Sequence, residues 1–294
     1  MDETRRNLLG GALGLTAAAV ACAPVRAEAP APRRRFEGRS ALVTGATSGI
    51  GRAVAIGLAA KGARVAFCGR REALGRQVQA EIRKAGGTAT YIRADVRVPD
   101  QVKAFVDRAA SLHGGLNLAV NNAGIGPKAD IADMALADFE DIMTTNVRGV
   151  FLSLQAEIPH LLQAGGGAIV VTSSTQAFAT REGTGVYSAS KRALLGLVQA
   201  AALELGPKNI RVNAICPGTT DTEFLRKQTG MQSLPEPIWR LGAAQWAKAH
   251  VPGLHRLASP EEQAAVILAL ASDDFPYMNG SAVVNDGGKL AAQP

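Results

Sequence analysis

Short apolar runs alternate with longer stretches of helical periodicity along most of the chain. The runs are SALVTG, ARVAFCG, TATYIRADV, LNLAVNNAG, AIVVTSS, IRVNAICPG and SAVVNDGG. Their length and their β-branched residues favour strands. The run AIVV is apolar without alternation, which is typical of strands buried on both faces of a sheet.

Amphipathic stretches separate these runs. They predict helices from about Gly49, over REALGRQVQAEIRKAGG, within 136–164, over 187–205 and over 260–271. Regular alternation of strand and helix implies right-handed crossovers and a parallel sheet covered on both faces. We therefore expect an α/β fold with a single doubly wound domain of about seven strands and no second domain.

Residues 219–258 interrupt this alternation and carry Trp239 and Trp246 between prolines. We interpret this region as a lid. The two tryptophans would either offer an apolar wall to a substrate ring or pack the lid against the sheet.

Composition and charge narrow the function classes. Apolar residues make up 47% of 294 residues, which is enough for a substantial core. Much of the formal net charge of +7 comes from arginines among the first 35 residues. No basic stripe interleaved with aromatic residues follows, so nucleic-acid binding is not expected. Cys22, Cys68 and Cys216 lack the spacing of a metal site or a disulfide framework, and the last two are expected to be buried thiols.

The first 29 residues have the features of an export signal. Arg5 and Arg6 in TRRNLL resemble a twin-arginine signal, and the uncharged run over 7–25 is shorter in its apolar core than the roughly 20 residues that cross a bilayer. A cleaved signal is therefore favoured over a permanent transmembrane helix. Cleavage after Ala27 and lipidation at Cys22 both stay open, and so does a chance arginine pair in a cytoplasmic protein. Residues 30–37, rich in proline and charge, are interpreted as a linker to a domain over 38–294.

A glycine-rich turn connects the first strand to the first helix. It reads Gly45-Ala46-Thr47-Ser48-Gly49-Ile50-Gly51. Glycines at such a position allow a tight turn and let the helix N-terminal amides approach a pyrophosphate. A plain glycine-rich connection is the alternative, but the position between strand and helix predicts a dinucleotide site.

The second strand ends at Gly69-Arg70-Arg71 and has no carboxylate at its tip. A carboxylate there would bind the ribose hydroxyls of NAD, whereas a guanidinium binds a ribose phosphate through two hydrogen bonds. We therefore expect NADP to be preferred, with NAD possible, and with Arg70 as the main contact and Arg71 as its support. The alternative is that both arginines are only exposed surface charges at the start of a helix.

Tyr187 and Lys191 lie four residues apart in YSASK, so they share one face of a helix. A free tyrosine titrates near pH ~10, and a nearby ammonium favours the phenolate. Such a tyrosine can give a proton to a carbonyl oxygen or take one from an alcohol.

Together with these motifs, further segments follow in a fixed order. They are Asp95-Val96, Asn121-Asn122-Ala123-Gly124, Asn146 in TTNVRGVF, Ser174, Pro217-Gly218 and the terminal VNDGG. In this set the chain resembles the classical short-chain dehydrogenase/reductase family from Gly38 to Gly288. The resemblance implies a Rossmann-like fold.

The resemblance also implies the roles of individual residues. Tyr187 would be the general acid/base, Lys191 would lower its pKa and bind the nicotinamide ribose, and Ser174 would hydrogen-bond the reacting oxygen. Asn146 would hold a water that links Lys191 to solvent. The remaining cofactor contacts would be Asp95 and Val96 at the adenine end, Asn122, Ala123 and Gly124 in the cleft, and Pro217, Gly218 and Thr222 on the nicotinamide side.

These expectations combine into an NADP-preferring oxidoreductase that interconverts a secondary alcohol and a ketone. A non-catalytic nicotinamide-binding sensor or scaffold of the same fold is the alternative. The resemblance further implies a homo-oligomer, a tetramer or a dimer, and the substrate stays open among sugars, acyl thioesters, steroid-like rings and small ketones. Because twin-arginine export carries folded proteins, a cofactor-loaded enzyme in the periplasm is compatible with the leader.

Overall fold

The computed structural model describes residues 35–292. Within that range seven strands form one parallel sheet in the order β3-β2-β1-β4-β5-β6-β7. The strands are β1 (Ser40–Val43), β2 (Arg64–Gly69), β3 (Thr88–Arg93), β4 (Leu118–Asn121), β5 (Gly167–Thr172), β6 (Ile210–Pro217) and β7 (Ala282–Asn285). The predicted α/β class and strand number are confirmed. The predicted leader, Cys22 and the linker as far as residue 34 lie outside the described residues.

Nine α-helices connect the strands over residues 35–292. They are α1 (Gly49–Ala60), α2 (Glu72–Lys84), α3 (Pro99–His113), α4 (Leu136–Met143), α5 (Gly149–Gln163), α6 (Gly185–Leu205), α7 (Glu223–Gln228), α8 (Glu236–His250) and α9 (Pro260–Ala271). Within the described range, no helix combines the length and the apolar character that crossing a bilayer requires.

Each face of the sheet has its own apolar core. One core joins the sheet to α1, α2 and α9, and the other joins it to α3, α5 and α6. In β1, Ala41 and Val43 pack in the first core and Leu42 in the second, as the period of two along a strand requires. Burial on both faces explains the continuous apolar runs of the sequence.

The chain reverses direction across the sheet after β3. It first adds β2 and β3 on one side of β1, and then β4 to β7 on the other side. A crevice therefore opens between the carboxyl ends of β1 and β4, the place where ligands bind in open α/β sheets.

The domain begins earlier than Gly38, the start expected from the sequence. Phe36 is buried in the first core, and its backbone amide donates to the Lys61 carbonyl at 2.9 Å. Residues 35–37 are thus part of the domain. The sequence did not reveal this, because Phe36 directly follows a charged run that has the composition of a linker.

The predicted lid region contains α7 and α8. Trp239 is buried, and its Nε1 donates to the Asp221 carboxylate at 2.8 Å. Trp246 stacks on His250 with ring centroids 4.3 Å apart. Neither tryptophan lines the cavity described below, so they do not form an apolar wall there, and Trp239 instead packs against Asp221 and Arg226 of the lid region itself.

Both cysteines of the described range are buried free thiols. Burial raises the pKa of Cys68 to about 12 and that of Cys216 to about 11. The interpretation of these residues as unreactive core thiols agrees with this environment.

One buried carboxyl predicts a pH dependence of stability. Glu157 on α5 is fully buried against Asn121, whose Nδ2 donates to it at 3.0 Å, and burial raises the pKa of Glu157 from 4.5 to about 8. Between these values the folded state binds the proton and the unfolded state does not. The contribution of Glu157 to the free energy of unfolding is therefore largest below about pH 4.5 and falls as the pH rises to about 8, by at most about 1.4 kcal/mol per pH unit.

The substitution Glu157→Gln keeps an acceptor for Asn121 and removes the titration. We expect the variant to gain stability relative to the wild type as the pH rises through this window, measured by urea unfolding at several pH values. Glu140→Gln, at an exposed position of α4, is the control. Parallel pH profiles of wild type and Glu157→Gln would contradict the prediction.

Candidate active site

A cavity of about 840 Å³ opens at the carboxyl edge of the sheet. The sequence-predicted residues that line it are Gly45, Thr47, Ser48, Gly49, Ile50, Arg70, Arg71, Asp95, Val96, Asn122, Ala123, Gly124, Ser174, Tyr187, Lys191, Pro217, Gly218 and Thr222. Two predicted site residues, Gly51 and Asn146, do not line it. The structure thus brings residues from six strand ends to one site.

The glycine turn is shaped by close backbone packing. Gly45 has φ +67°, and a Cβ there would lie 2.6 Å from the Ala123 Cα. Gly51 lies beneath the turn, where a Cβ would collide with the Asn122 side chain and the Gly45 carbonyl. Gly51 therefore serves the packing of the turn on β4 and does not line the cavity.

The N-terminus of α1 is suited to binding an anion. Its N-cap, Ser48, makes no side-chain cap hydrogen bond, and the first turn contains no acidic residue. Arg52 is the first residue of the helix whose amide finds a backbone acceptor, the Ser48 carbonyl at 3.2 Å. The preceding amides and the helix dipole are available to a pyrophosphate.

The two arginines after β2 have different environments. Arg71 contacts Glu223 of α7 through Nη1 at 2.5 Å, and its Nη2 donates to Ser48 at 2.5 Å and to Thr47 at 3.2 Å. Arg70 is exposed and has no ion pair within residues 35–292. Arg70 is therefore free to bind a phosphate, whereas Arg71 is already held between the glycine turn and α7.

Asp95 follows β3 at the same end of the cavity. Its carboxylate accepts hydrogen bonds from Arg97 Nε at 3.0 Å and Nη2 at 2.6 Å. Burial raises the pKa of Asp95, but these hydrogen bonds outweigh it, so the net pKa is lowered. The carboxylate stays ionised and fixed at the wall.

Tyr187 and Lys191 lie one turn apart on α6 and are both buried. Lys191 Nζ lies 5.7 Å from the Tyr187 ring centroid and donates to the Thr172 carbonyl at 2.8 Å. Ser174 follows β5 as an N-cap that accepts from the Gln176 amide at 3.1 Å. The helix and the end of β5 therefore place a phenol, an ammonium and a hydroxyl at one wall.

The pKa of Tyr187 in the protein alone is set mainly by burial. Burial raises it to about 12, although a hydrogen bond with Ser174 and the charge of Arg181 act to lower it. Lys191 does not dominate, because its ammonium is itself desolvated and bound to a carbonyl; burial lowers the pKa of Lys191 to about 8. In the protein alone Tyr187 is thus protonated at neutral pH.

Asn146 is completely buried behind this wall, in a π-helical turn (Thr144–Arg148) between α4 and α5. Its side chain accepts from the Ile125 amide and donates to the Ile125 carbonyl, each at 2.8 Å. Its Nδ2 also donates to Ser190 at 3.0 Å. A Cβ at Gly124 would lie 3.3 Å from both Asn146 Oδ1 and Lys191 Nζ, so Asn146 lies beside the lysine without lining the cavity.

Comparison with known proteins agrees with this arrangement. A family model described as enoyl-(acyl carrier protein) reductase matches residues 45–289. The chain is 38% identical to a 3beta-hydroxysteroid dehydrogenase of Mediterraneibacter gnavus, over 86% of this chain and 95% of the relative. It is 36% identical to a cyclohexanol dehydrogenase of an Acinetobacter species, over 86% of this chain and 95% of the relative.

The chain belongs to the short-chain dehydrogenase/reductase family. A solved short-chain dehydrogenase of Burkholderia cenocepacia in complex with NADP is similar in structure, with a TM-score of 0.78, 35% identity and coverage of 87% of this chain and 99% of that one. The protein is an NAD(P)-dependent oxidoreductase of CH–OH and carbonyl groups.

In this short-chain dehydrogenase/reductase, the sequence motifs do not include several residues that line the cavity. Its further lining residues include Gly126, Lys128, Gln176, Arg181, Phe224, Gln228 and Lys289. They come from loops, from a short 3-10 turn over Thr175–Ala177 and from α7, and none of these segments carries a periodic pattern. Phe224 packs against Tyr187 with ring centroids 5.9 Å apart, and Gln228 donates to the Gly126 carbonyl at 2.9 Å. The helix α7 therefore forms the part of the lid that covers the site.

Proposed function

We propose that the enzyme interconverts a secondary alcohol and a ketone, with NADP preferred over NAD. The observation that carries the proposal is the burial of Tyr187, Lys191 and Ser174 at one wall of a cavity that also contains the glycine turn. Bound NADP would supply or accept the hydride. Both relatives described above are named for substrates whose reacting group is a secondary alcohol.

The side chains would transfer the proton and orient the substrate and the cofactor. Tyr187, protonated at neutral pH, gives its proton to the carbonyl oxygen, and in the reverse direction it takes the proton of the alcohol. Ser174 donates its hydroxyl proton to the same oxygen, while the Ser174 oxygen accepts from the Gln176 amide. Lys191 binds the ribose hydroxyls and favours the phenolate by its charge. Asn146 fixes the Ile125 backbone beside Lys191.

Arg70 supports the preference for NADP. It is a cation at the tip of β2 without an ion pair among residues 35–292, and the two residues that directly follow the strand, Arg70 and Arg71, place no carboxylate at the tip to repel a phosphate. Hydrogen bonds to a charged group contribute about 1.5–3 kcal/mol.

The substitution Arg70→Ala is therefore expected to lower kcat/KM for NADP by about 10- to 100-fold and to leave kcat/KM for NAD within a few-fold. Steady-state kinetics with both cofactors measures the ratio. Arg108→Ala, at an exposed position of α3 away from the cavity, is the matched control. A wild-type enzyme that prefers NAD would refute the assignment of Arg70.

Two further proposals concern assembly and location. Exposed apolar side chains on α4, α5 and α6, with Leu136 71%, Phe151 48% and Leu203 80% exposed, support a homo-oligomer through these helices. Sedimentation at micromolar concentration would show a monomer if this is wrong.

We also propose export through the twin-arginine leader, which cell fractionation of the full chain and of its Arg6→Lys variant tests.

A further inference from the structure

We propose that the substrate carries an anionic group, a carboxylate or a phosphate ester, and that Lys128, Arg181 and Lys289 bind this group at the outer end of the cavity. These three residues are called the cationic rim below. The subsite rests on the proposed function, because the charge is taken to lie on the same molecule as the reacting carbonyl.

Three separate segments bring the cationic rim together. Lys128 lies between β4 and α4, Arg181 between β5 and α6, and Lys289 after β7, and all three line the cavity that contains Tyr187. The first two segments are joined by a backbone hydrogen bond from Ala129 to the Gly183 carbonyl, 3.1 Å long. The third is a turn whose amides at Gly288 and Leu290 donate to the Asp286 carboxylate at 2.9 and 2.8 Å. A backbone bond thus joins the segments of Lys128 and Arg181, the Asp286 carboxylate fixes the turn of Lys289, and Lys289 Nζ lies 5.6 Å from the Trp246 ring centroid.

No acidic side chain within residues 35–292 forms an ion pair with any of the three cations, whereas fourteen other pairs are formed there. The Nε of Arg181 is buried and has no hydrogen-bond partner in the described part of the chain. A buried guanidinium donor without an acceptor is costly, and a bound oxyanion would satisfy it.

The three charges also affect one another. Burial lowers the pKa of Lys128 and that of Lys289, and the charge of Arg181 lowers both further. Asp286 acts in the opposite direction on the pKa of Lys289, but its oxygens are taken by backbone amides. Like charges that repel across a cavity wall bind an anion more strongly than any one of them alone.

The position of the rim has a consequence for the reaction. The charge of Arg181 also lowers the pKa of Tyr187, so the rim and the reacting oxygen lie within electrostatic reach. An anionic substituent on the rim would orient the carbonyl toward Tyr187 and Ser174. A neutral substrate would lack this anchor and leave the Arg181 donor unsatisfied.

The test compares probes that carry or lack the anionic group. The first pair is 4-oxocyclohexanecarboxylate and its neutral carboxamide, and the second is acetoacetyl-pantetheine with and without its 4′-phosphate. We expect the full-length wild type to prefer the charged member of one pair by at least about tenfold in kcat/KM, as one charge-assisted hydrogen bond predicts. A preference confined to the first pair identifies a carboxylate substrate, and one confined to the second identifies a phosphate ester.

The variant Arg181→Met should reduce that preference by about tenfold or more, and Lys128→Met and Lys289→Met should reduce it in the same direction. Lys208→Met, at an exposed position outside the cavity, should leave it unchanged. Equal kcat/KM for charged and neutral probes in the wild type, or an unchanged preference in Arg181→Met, would overturn the subsite.

Calorimetric titration of the NADP-loaded protein with the same probes separates the two proposals. Binding of the charged probe that Arg181→Met abolishes, without turnover of any ketone or alcohol, would keep the anion subsite and reject the oxidoreductase function for these compounds. Turnover of neutral ketones with no charge preference in binding or rate would keep the proposed function and reject the subsite.

Discussion

Replacing Tyr187 with phenylalanine is expected to lower kcat by about 10²- to 10⁴-fold, the usual contribution of a positioned acid or base. The change removes one oxygen from a side chain that is 8% exposed, so the ring still fills its place against Phe224. Lys191 keeps its bond to the Thr172 carbonyl. The affinity for NADP, measured by titration of protein fluorescence, should therefore stay within a few-fold.

The chain offers a matched control for this variant. Tyr277 is fully exposed and remote from the cavity, so Tyr277→Phe should leave both kcat and NADP affinity unchanged. Turnover of Tyr187→Phe at the wild-type rate would reject the proposed acid/base. A wild type that binds NADP without turning over any alcohol or ketone would favour the sensor or scaffold hypothesis.

The substitution Gly45→Ala is expected to damage the glycine turn severely. A Cβ at Gly45 would lie 2.6 Å from the Ala123 Cα and 2.9 Å from its amide nitrogen, both of which are backbone atoms. Positive φ costs a residue with a Cβ about 1–2 kcal/mol, and overpacking adds about 1–3 kcal/mol. We expect a loss of about 2–5 kcal/mol in the free energy of unfolding, together with weaker stabilisation by NADP.

Gly86 separates the two causes. Its φ is +83°, but a Cβ there would meet no atom within 4 Å, so Gly86→Ala should lose only the cost of the backbone conformation. Urea unfolding of both variants, with and without NADP, measures the difference. Equal losses in the two variants would show that the turn relaxes around the added methyl group.

Local signals explain why much of the fold was predictable. The helix α9 has the predicted bounds, because Ser259 and Glu262 form a capping box and Pro260 occupies the first turn. The strands were recognisable because burial on both faces leaves them apolar throughout. The start of the domain was not, since nothing local distinguishes Phe36 from the charged segment before it.

The residues of the site also differ in whether local sequence signals could predict them. Gly45, Tyr187 and Lys191 belong to short motifs whose spacing is set by one turn or one helix. The contact of Arg71 with Glu223 joins residues 152 positions apart, and the cationic rim is assembled from three loops. The pKa of Tyr187 in the protein alone depends on burial, which no spacing reveals.

The π-helical turn that holds Asn146 determines how α4 is rotated about its axis relative to α5. A π turn accommodates one residue more than an α-helical turn, and each residue of a helix advances the side-chain direction by about 100°. Deleting one residue from Thr144–Arg148 would rotate α4 by that angle relative to α5. The inserted residue thus lets one continuous helical segment present Asn146 to the Ile125 backbone and, beyond it, keep Leu154 and Leu161 directed at the sheet.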